Sequence, residues 1–334
     1  MTFMKWICRL VFVCYIWIIK LEFSAIADAL RYIMGISGPS GFGSNSTGEH
    51  VTEGVSPLPQ LTAIITGATS GIGAETARVL AKRGVRLVIP ARDLKKARDV
   101  EERIKKKSPK ADIIVMKMDL CSFASIQNFC SNFLSLGLPL NILINNAGKL
   151  CRSFELTENK LEMTVATNYM DISFNTTILL VYKVNSPTLC ICALKFMHLP
   201  SDVRNKSYDG TRAYALSKLA NIMHAKEIAR QLKERKVNVT INSVHPGIVK
   251  TGIIRDHRGL ITDLLFFLAS KFLKSTAQGA STTCYIAINP QVNGISGKYF
   301  ADCNESSCSP LADDDWEAFN LWMKTTILLH KFMS

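Results

Sequence analysis

The ten cysteines of this chain form no CxxC pair. No His/Cys spacing suits zinc, and Cys190 and Cys192 lie too close together for a metal knuckle. A metal centre is therefore not expected, and scattered thiols of this kind suit a reducing compartment. No nucleic-acid-binding motif occurs, so a formal charge of +13 does not make nucleic acid the expected partner. Much of that excess lies in ARDLKKARDVEERIKKKSPK, residues 91–110, where Asp and Glu interleave with Lys and Arg as on a solvated helix face. Anionic lipid and a phosphorylated ligand are the alternatives. The apolar run Leu10–Ile19 has ten residues, where about 20 are needed to span a bilayer. With Lys5 and Arg9 before it and Lys20 and Glu22 after, it reads as a signal-peptide core, an interfacial anchor, or sequence upstream of a start near Ala29.

What is present is globular. Hydrophobic residues make up 48 % of 334 residues and charged residues 20 %, enough for one large α/β domain with extensions. Residues 1–28 form the hydrophobic leader, 29–60 a Gly/Ser/Pro-rich linker or surface arm, 61–310 the body and 311–334 a tail. From Leu61 a short apolar strand (63–65), a glycine-rich turn, an amphipathic helix ending at Gly84 and a second strand (86–89) form a βαβ unit. The turn runs Thr66-Gly67-Ala68-Thr69-Ser70-Gly71-Ile72-Gly73. Glycines let the backbone turn sharply and approach a pyrophosphate, and the helix start offers it free N–H groups. The spacing is GxxxGxG rather than GxGxxG.

The second strand runs into Pro90-Ala91-Arg92-Asp93. Arg92 suits a 2′-phosphate and points to NADP(H); Asp93 is the rival, since a carboxylate there favours NAD. Two further strands end in Asp119-Leu120, where the carboxylate can reach an adenine amino group, and in Asn145-Asn146-Ala147-Gly148. This alternation predicts a doubly wound parallel sheet of the Rossmann type, with ligands at the carboxyl ends of its strands. Farther on, TRAYALSKLAN places Tyr214 and Lys218 one above the other on a helix face.

TGATSGIG, NNAG and YALSK, in this order, resemble the short-chain dehydrogenase/reductase superfamily, over roughly residues 30–330. Within it the chain is similar to the retinol-dehydrogenase-like branch. More narrowly, GISGPSGFGSNST, GATSGIGAETARVLAKRGVRLVIPARD and GKYFADCNE resemble the plant enzymes associated with the chloroplast inner-envelope translocon. The resemblance implies an NADP(H)-dependent oxidoreductase interconverting an alcohol and a carbonyl. Tyr214 would be its acid/base, Lys218 would lower the phenol's pKa, and Asn168 would relay protons. A phenol near pKa ~10 needs such help at neutral pH. Gly67, Thr69, Ser70, Gly71, Ile72 and Gly73 would hold the phosphates, Asp119 and Leu120 the adenine, and Asn146, Ala147 and Gly148 the strand-end contact. Pro246 and Gly247 would form the family's Pro-Gly turn at the cofactor, and Thr251 would contact the carboxamide or the phosphates. An inner-envelope location follows from the same resemblance; another intracellular membrane or the cytoplasm is the alternative.

The pattern breaks after Asn168. Met170-Asp171-Ile172-Ser173 replaces the family's small and aromatic residues, and no NVSS-type motif follows. The interval to Tyr214 is about 20 residues short, roughly 30 Å of helix, so the helix after the fourth strand is expected to be shortened or lost. The run 178–186 reads as a strand ending in Ser186, the stand-in for the substrate-orienting serine. This break raises the alternative of a catalytically impaired, NADPH-binding regulatory or scaffold protein at an organelle envelope. An apolar helix around Leu264–Leu268 occupies the family's lid position and suggests a lipophilic substrate or a membrane surface or envelope protein as partner; an ordinary core helix is the equal alternative. Gly297–Phe300 reads as the last strand. The tail, with Trp316 and Trp322, reads as a terminal helix, with a calmodulin-like or membrane-surface partner as the alternative.

Overall fold

The computed structural model describes residues 30–183, 190–194, 208–249 and 273–333. Helix α1 (Gly48–Val51) lies in the arm, capped by the Thr47 hydroxyl, which accepts from the His50 N–H. Val51 is buried, and Glu49 pairs with Arg78 at 2.6 Å and Lys82 at 2.7 Å, so this part of the arm is fastened to the body. Strand β1 (Thr62–Ile65) is buried along its whole length, as a central parallel strand must be. The glycine bend leads to α2 (Gly71–Lys82), and Gly84, at φ 81°, ends the turn that follows it. Strand β2 (Arg86–Ala91) runs two residues past its expected end. Asp93 then caps α3 (Leu94–Lys107), whose last turn places Lys105, Lys106 and Lys107 at the negative end of the helix dipole.

After β3 (Ile113–Lys117), Ser122 caps α4 (Phe123–Ser135). Its Phe123, Ile126, Phe129, Cys130 and Phe133 recur at helical spacing and are buried. Each large side chain of that stripe contributes roughly 1.5–3 kcal/mol. Strand β4 (Ile142–Asn145) follows.

The helix expected to be shortened or lost after β4 is not lost. A turn at Met163–Val165 and a π-helical turn at Ala166–Met170 run straight into α5 (Asp171–Lys183). The strand expected over 178–186 is corrected accordingly: its described part, up to Lys183, is helix, and the fifth strand, β5, is Cys190–Leu194. A short β-branched apolar run satisfies a buried helix as well as a strand. Here Phe174 and Leu179 pack with the α4 stripe, which decides for helix.

Asp209 caps the 25-residue α6 (Gly210–Glu234), which returns the chain to β6 (Thr240–His245). Two short helices, α7 (Thr276–Gly279) and α8 (Ser281–Ile288), lead to β7 (Tyr299–Ala301). A tight hairpin through Asp302 and Cys303, both at positive φ, adds the antiparallel β8 (Asn304–Glu305). The sheet order is β3-β2-β1-β4-β5-β6-β7-β8, parallel throughout except for β8. Alternate residues face opposite layers. Ala63 and Ile65 join α2, α3 and α8, whereas Ile64 joins α4, α5 and α6.

The terminal helix α9 (Asp315–Met333) completes the second layer. Leu329 is buried, and the Phe332 ring meets Phe123 at 4.5 Å. Its apolar face is thus used within the chain, while Trp316 stays 67 % exposed. No helix among the described residues is long and apolar enough to cross a membrane.

Candidate active site at the carboxyl ends of the strands

Strands β1 and β4 are neighbours, with β2 and β3 on one side and β5 and β6 on the other. The crevice at this switch point is where a doubly wound sheet takes a ligand. Thr66, at the end of β1, accepts with its hydroxyl from the N–H groups of Asn146 and Ala147, each at 3.1 Å. The Asn146 amide donates back to the carbonyls of Thr66 at 3.0 Å and Gly67 at 3.2 Å. Gly67, at φ 67°, lies so near this loop that a Cβ would come within 2.8 Å of Ala147 Cα. A Cβ on Gly73 would overlap the Asn146 amide and the Gly67 carbonyl. Sequence reading singled out these glycines; the structure shows that their missing side chains also let the bend seat on Asn146-Ala147-Gly148.

The start of α2 is open to an anion. No acidic residue occupies its first turn, and the Ser70 side chain makes no capping bond. A cleft of about 510 Å³ between α2 and α3 opens at Thr69, Ser70 and Gly71, with Arg103, Lys106 and Lys107 on its rim. Those three basic residues were read in the sequence as a solvated face. They are exposed, but they face the glycine bend, and the signal was the basic block itself.

Arg92 is exposed just beyond β2, and its guanidinium makes no hydrogen bond or ion pair among the described residues. Asp93, the rival, is engaged: its carboxylate accepts from the Lys96 N–H at 3.2 Å, and that bond, with the Lys96 ammonium, holds its pKa down. Asp119 is half-buried at the end of β3, its Oδ1 accepting from the Cys121 N–H at 3.0 Å. Leu120, beside it, packs against the core.

Across the crevice, α6 carries Tyr214, 4 % exposed, and Lys218, 3 % exposed. The Lys218 ammonium stands 5.5 Å from the centre of the Tyr214 ring. It also reaches the β4 loop, since a Cβ on Gly148 would be 3.4 Å from Lys218 Nζ and 3.6 Å from Asn168 Oδ1. Asn168 sits in the π-helical turn, a distortion frequent at functional sites. Its Oδ1 accepts from the Lys149 N–H at 2.7 Å, and its Nδ2 donates to the Lys149 carbonyl at 2.9 Å and Ser217 Oγ at 3.1 Å. Ser217 Oγ donates to the Tyr214 carbonyl at 2.7 Å, and Asn221 Nδ2 to the Asn168 carbonyl at 2.9 Å. Ser217 and Asn221 were missed in the sequence. Their signal was position, three and seven residues after Tyr214 on the same helix. Burial pushes the Tyr214 phenol up to about 12.

Pro246 and Gly247 are buried just beyond β6, and Gly247 sits at φ 80°. Val249 continues from them to α7, where a Cβ on Gly279 would lie 2.7 Å from Val249 Cγ2 and 3.2 Å from Ile72 Cγ1. Ile72 of the glycine bend and the residues after β6 thus meet across one glycine. Thr251, Ser186 and the Leu264–Leu268 stretch lie outside the described residues. Ser186 precedes β5 in the sequence, and the residues that follow β5 begin with Lys195.

Residues 61–259 match the family model for short chain dehydrogenases. The chain is 41 % identical over 305 residues to the short-chain dehydrogenase TIC 32 B, chloroplastic, of Brassica napus, covering 87 % of this chain and 95 % of that one. It belongs to the short-chain dehydrogenase family. Retinol dehydrogenase 12 of Bos taurus is 37 % identical over 273 residues, 80 % of this chain and 85 % of that one. Among solved structures, an uncharacterised protein from Mycobacterium paratuberculosis matches with a TM-score of 0.64 at 26 % identity, over 83 % of this chain and 96 % of that one. An NADPH-bound short-chain oxidoreductase from Pseudomonas aeruginosa PAO1 with an atypical catalytic centre shares the fold, with a TM-score of 0.61 at 18 % identity, over 74 % of this chain and 96 % of that one.

A short-chain dehydrogenase is an oxidoreductase that uses a nicotinamide dinucleotide, and the residues present fit one. The sharp bend with Gly67 and Gly71 at positive φ and the uncapped start of α2 suit its pyrophosphate. The buried Lys218 and Asn168 face the same loop from the far side, with the Tyr214 ring beside the Lys218 ammonium.

Proposed function

We propose that this short-chain dehydrogenase is NADP(H)-dependent and interconverts an alcohol and a carbonyl compound of lipophilic character. The observation that carries the reading is the Lys218 ammonium lying against Gly148, in the loop that packs on the glycine bend, with Tyr214 one turn away. NADP(H), when bound, supplies or accepts the hydride. Gly67, Thr69, Ser70, Gly71, Ile72 and Gly73 would hold its phosphates, and Arg92 its 2′-phosphate, since Asp93 is occupied as a helix cap. Asp119 and Leu120 border the adenine side; Asn146, Ala147, Gly148, Pro246 and Gly247 border the nicotinamide side.

In the reducing direction Tyr214 gives its phenolic proton to the substrate oxygen. A phenol held near 12 stays protonated at neutral pH and is ready to donate. In the oxidising direction it must first lose that proton, and the Lys218 ammonium is the cation placed to favour the phenolate. Asn168 ties Lys149 to Ser217, and so fixes the loop under Lys218 relative to the turn that carries Tyr214. Titration with NADPH and NADH, followed by a screen of isoprenoid and retinoid-type aldehydes and ketones, tests the reading. Tyr214→Phe should keep NADPH affinity and lower turnover by about 10²–10⁴-fold. Turnover unaffected by Tyr214→Phe sinks the assignment.

A second reading is favoured by one observation: Lys195, Phe196 and Met197, which follow β5, include no serine. It is an NADPH-binding regulatory or scaffold protein without turnover. Tryptophan quenching by NADPH, with no carbonyl reduced across the screen, would select it. The chloroplastic designation of the Brassica napus relatives supports a chloroplast location, checked by imaging the tagged full chain in plant cells.

A further inference from the structure

The turn after β6 is fastened by residues from three distant parts of the chain. Lys274 is 3 % exposed in its side chain, and its ammonium pairs with Asp302 in the β7–β8 hairpin. Its stem crosses Gly247 so closely that a Cβ there would come within 2.8 Å of Lys274 Cδ. Its backbone N–H donates to the Ile248 carbonyl at 2.8 Å, within a β-bridge between Val249 and Lys274. From the arm, the Tyr32 ring lies 5.6 Å from the same ammonium, and its phenol oxygen is hydrogen-bonded by the Ile248 backbone. Ser44 Oγ donates to the Tyr32 carbonyl at 2.6 Å, tying that residue to the rest of the arm.

A buried ammonium needs both a carboxylate and further contacts to offset its desolvation, and a π face is a suitable second partner. Nothing in the fold of β6 alone requires one there. What the arrangement does is hold a left-handed glycine in one place: Gly247 cannot shift without moving Lys274, and Lys274 is held by Asp302 and roofed by Tyr32.

We propose that Lys274 is a positioning residue for the Pro246–Gly247 turn, with Asp302 and Tyr32 as its supports. This rests on the cofactor reading above. With Arg92 and Asp119, after β2 and β3, holding the adenine half, the turn after β6, on the other side of β1 and β4, would border the nicotinamide half. The residue therefore acts on one half of the ligand. Tyr32 makes the arm part of the site: the Rossmann body by itself lacks one support of its own nicotinamide turn.

Calorimetric titration of the full chain with two probes tests this. NADPH spans both halves; adenosine 2′,5′-bisphosphate fills the adenine half alone. Lys274→Met should weaken NADPH by about tenfold or more and leave adenosine 2′,5′-bisphosphate unchanged, and Lys274→Arg should restore most of the loss. Because Lys274→Met strands a buried carboxylate and could fail to fold, Lys274→Met/Asp302→Leu removes both charges together and should show the same split. Equal weakening of both probes in the double variant, or of neither, overturns the proposal while leaving the cofactor reading intact. A wild-type chain that binds neither probe overturns the cofactor reading itself.

Discussion

Gly73 has no room for a methyl group. Its Cβ would overlap the Asn146 amide on one side and the Gly67 carbonyl on the other, and both belong to the contact between bend and loop. Gly73→Ala should therefore cost about 1–3 kcal/mol of stability, as overpacking does, and should also spread the phosphate cradle. Chemical denaturation and NADPH titration of this variant would each show a loss; wild-type values in both would mean that the loop simply yields. Arg92 offers a sharper contrast, because it is exposed and unpartnered among the described residues and its removal should leave the fold alone. Charge-assisted hydrogen bonds contribute about 1.5–3 kcal/mol. Arg92→Ala should thus raise the NADPH dissociation constant by about tenfold to a hundredfold and leave that for NADH unchanged. A parallel loss for both dinucleotides would remove Arg92 from 2′-phosphate recognition.

At the scale of elements, the β1–bend–α2 unit was legible because independent signals agree there: an apolar strand, glycines at the turn and a helical period after it. The basic α3 was legible as a helix but not as a wall of the cleft, since charge pattern alone does not say which way a solvated face looks. The stretch after Asn168 was misread for a physical reason. Ile178 to Val181 is apolar and partly β-branched in sequence, and only the packing of Phe174, Ile178 and Leu179 with Phe123, Phe129 and Phe133 of α4 decides between helix and strand. Tyr169 in the π turn depends on the far end of the chain in the same way. Its hydroxyl meets Thr325 Oγ1 of α9 at 2.7 Å and His224 Nδ1 of α6 at 3.3 Å. This buried junction fixes the tail helix against the element that carries Asn168. Thr325→Val keeps the shape and deletes the hydroxyl, so about 1–3 kcal/mol should be lost from a polar group left short of a partner. Unchanged denaturation would show that Tyr169 and His224 satisfy one another without α9.

Across the whole molecule, two buried ionisable groups should shape stability against pH in opposite senses. Asp171, 2 % exposed, has its carboxyl raised to about 8 by burial and by the nearby Asp119, and one of its oxygens finds no partner among the described residues. His224, 7 % exposed, is lowered to about 4 by burial, which the charge of Glu227 only partly opposes. From the ordinary carboxyl value of 3.8 up to about 8, the folded chain holds the Asp171 proton that the unfolded chain has released, so this contribution is lost as pH rises. From about 4 up to the ordinary imidazole value of 6.5, the unfolded chain holds the His224 proton that the folded chain refuses, so this contribution is lost as pH falls. Between about 4 and 6.5 the two slopes cancel; between 6.5 and about 8 only Asp171 acts. Each pH unit there is worth about 1.4 kcal/mol, so about 2 kcal/mol of stability should disappear over that upper window. Asp171→Asn should flatten the upper window and expose the His224 slope below it, with stability now falling as the solution is acidified. Denaturant titrations of both chains at several pH values would show the exchange of slopes, and parallel curves would mean that Asp171 ionises freely despite its burial.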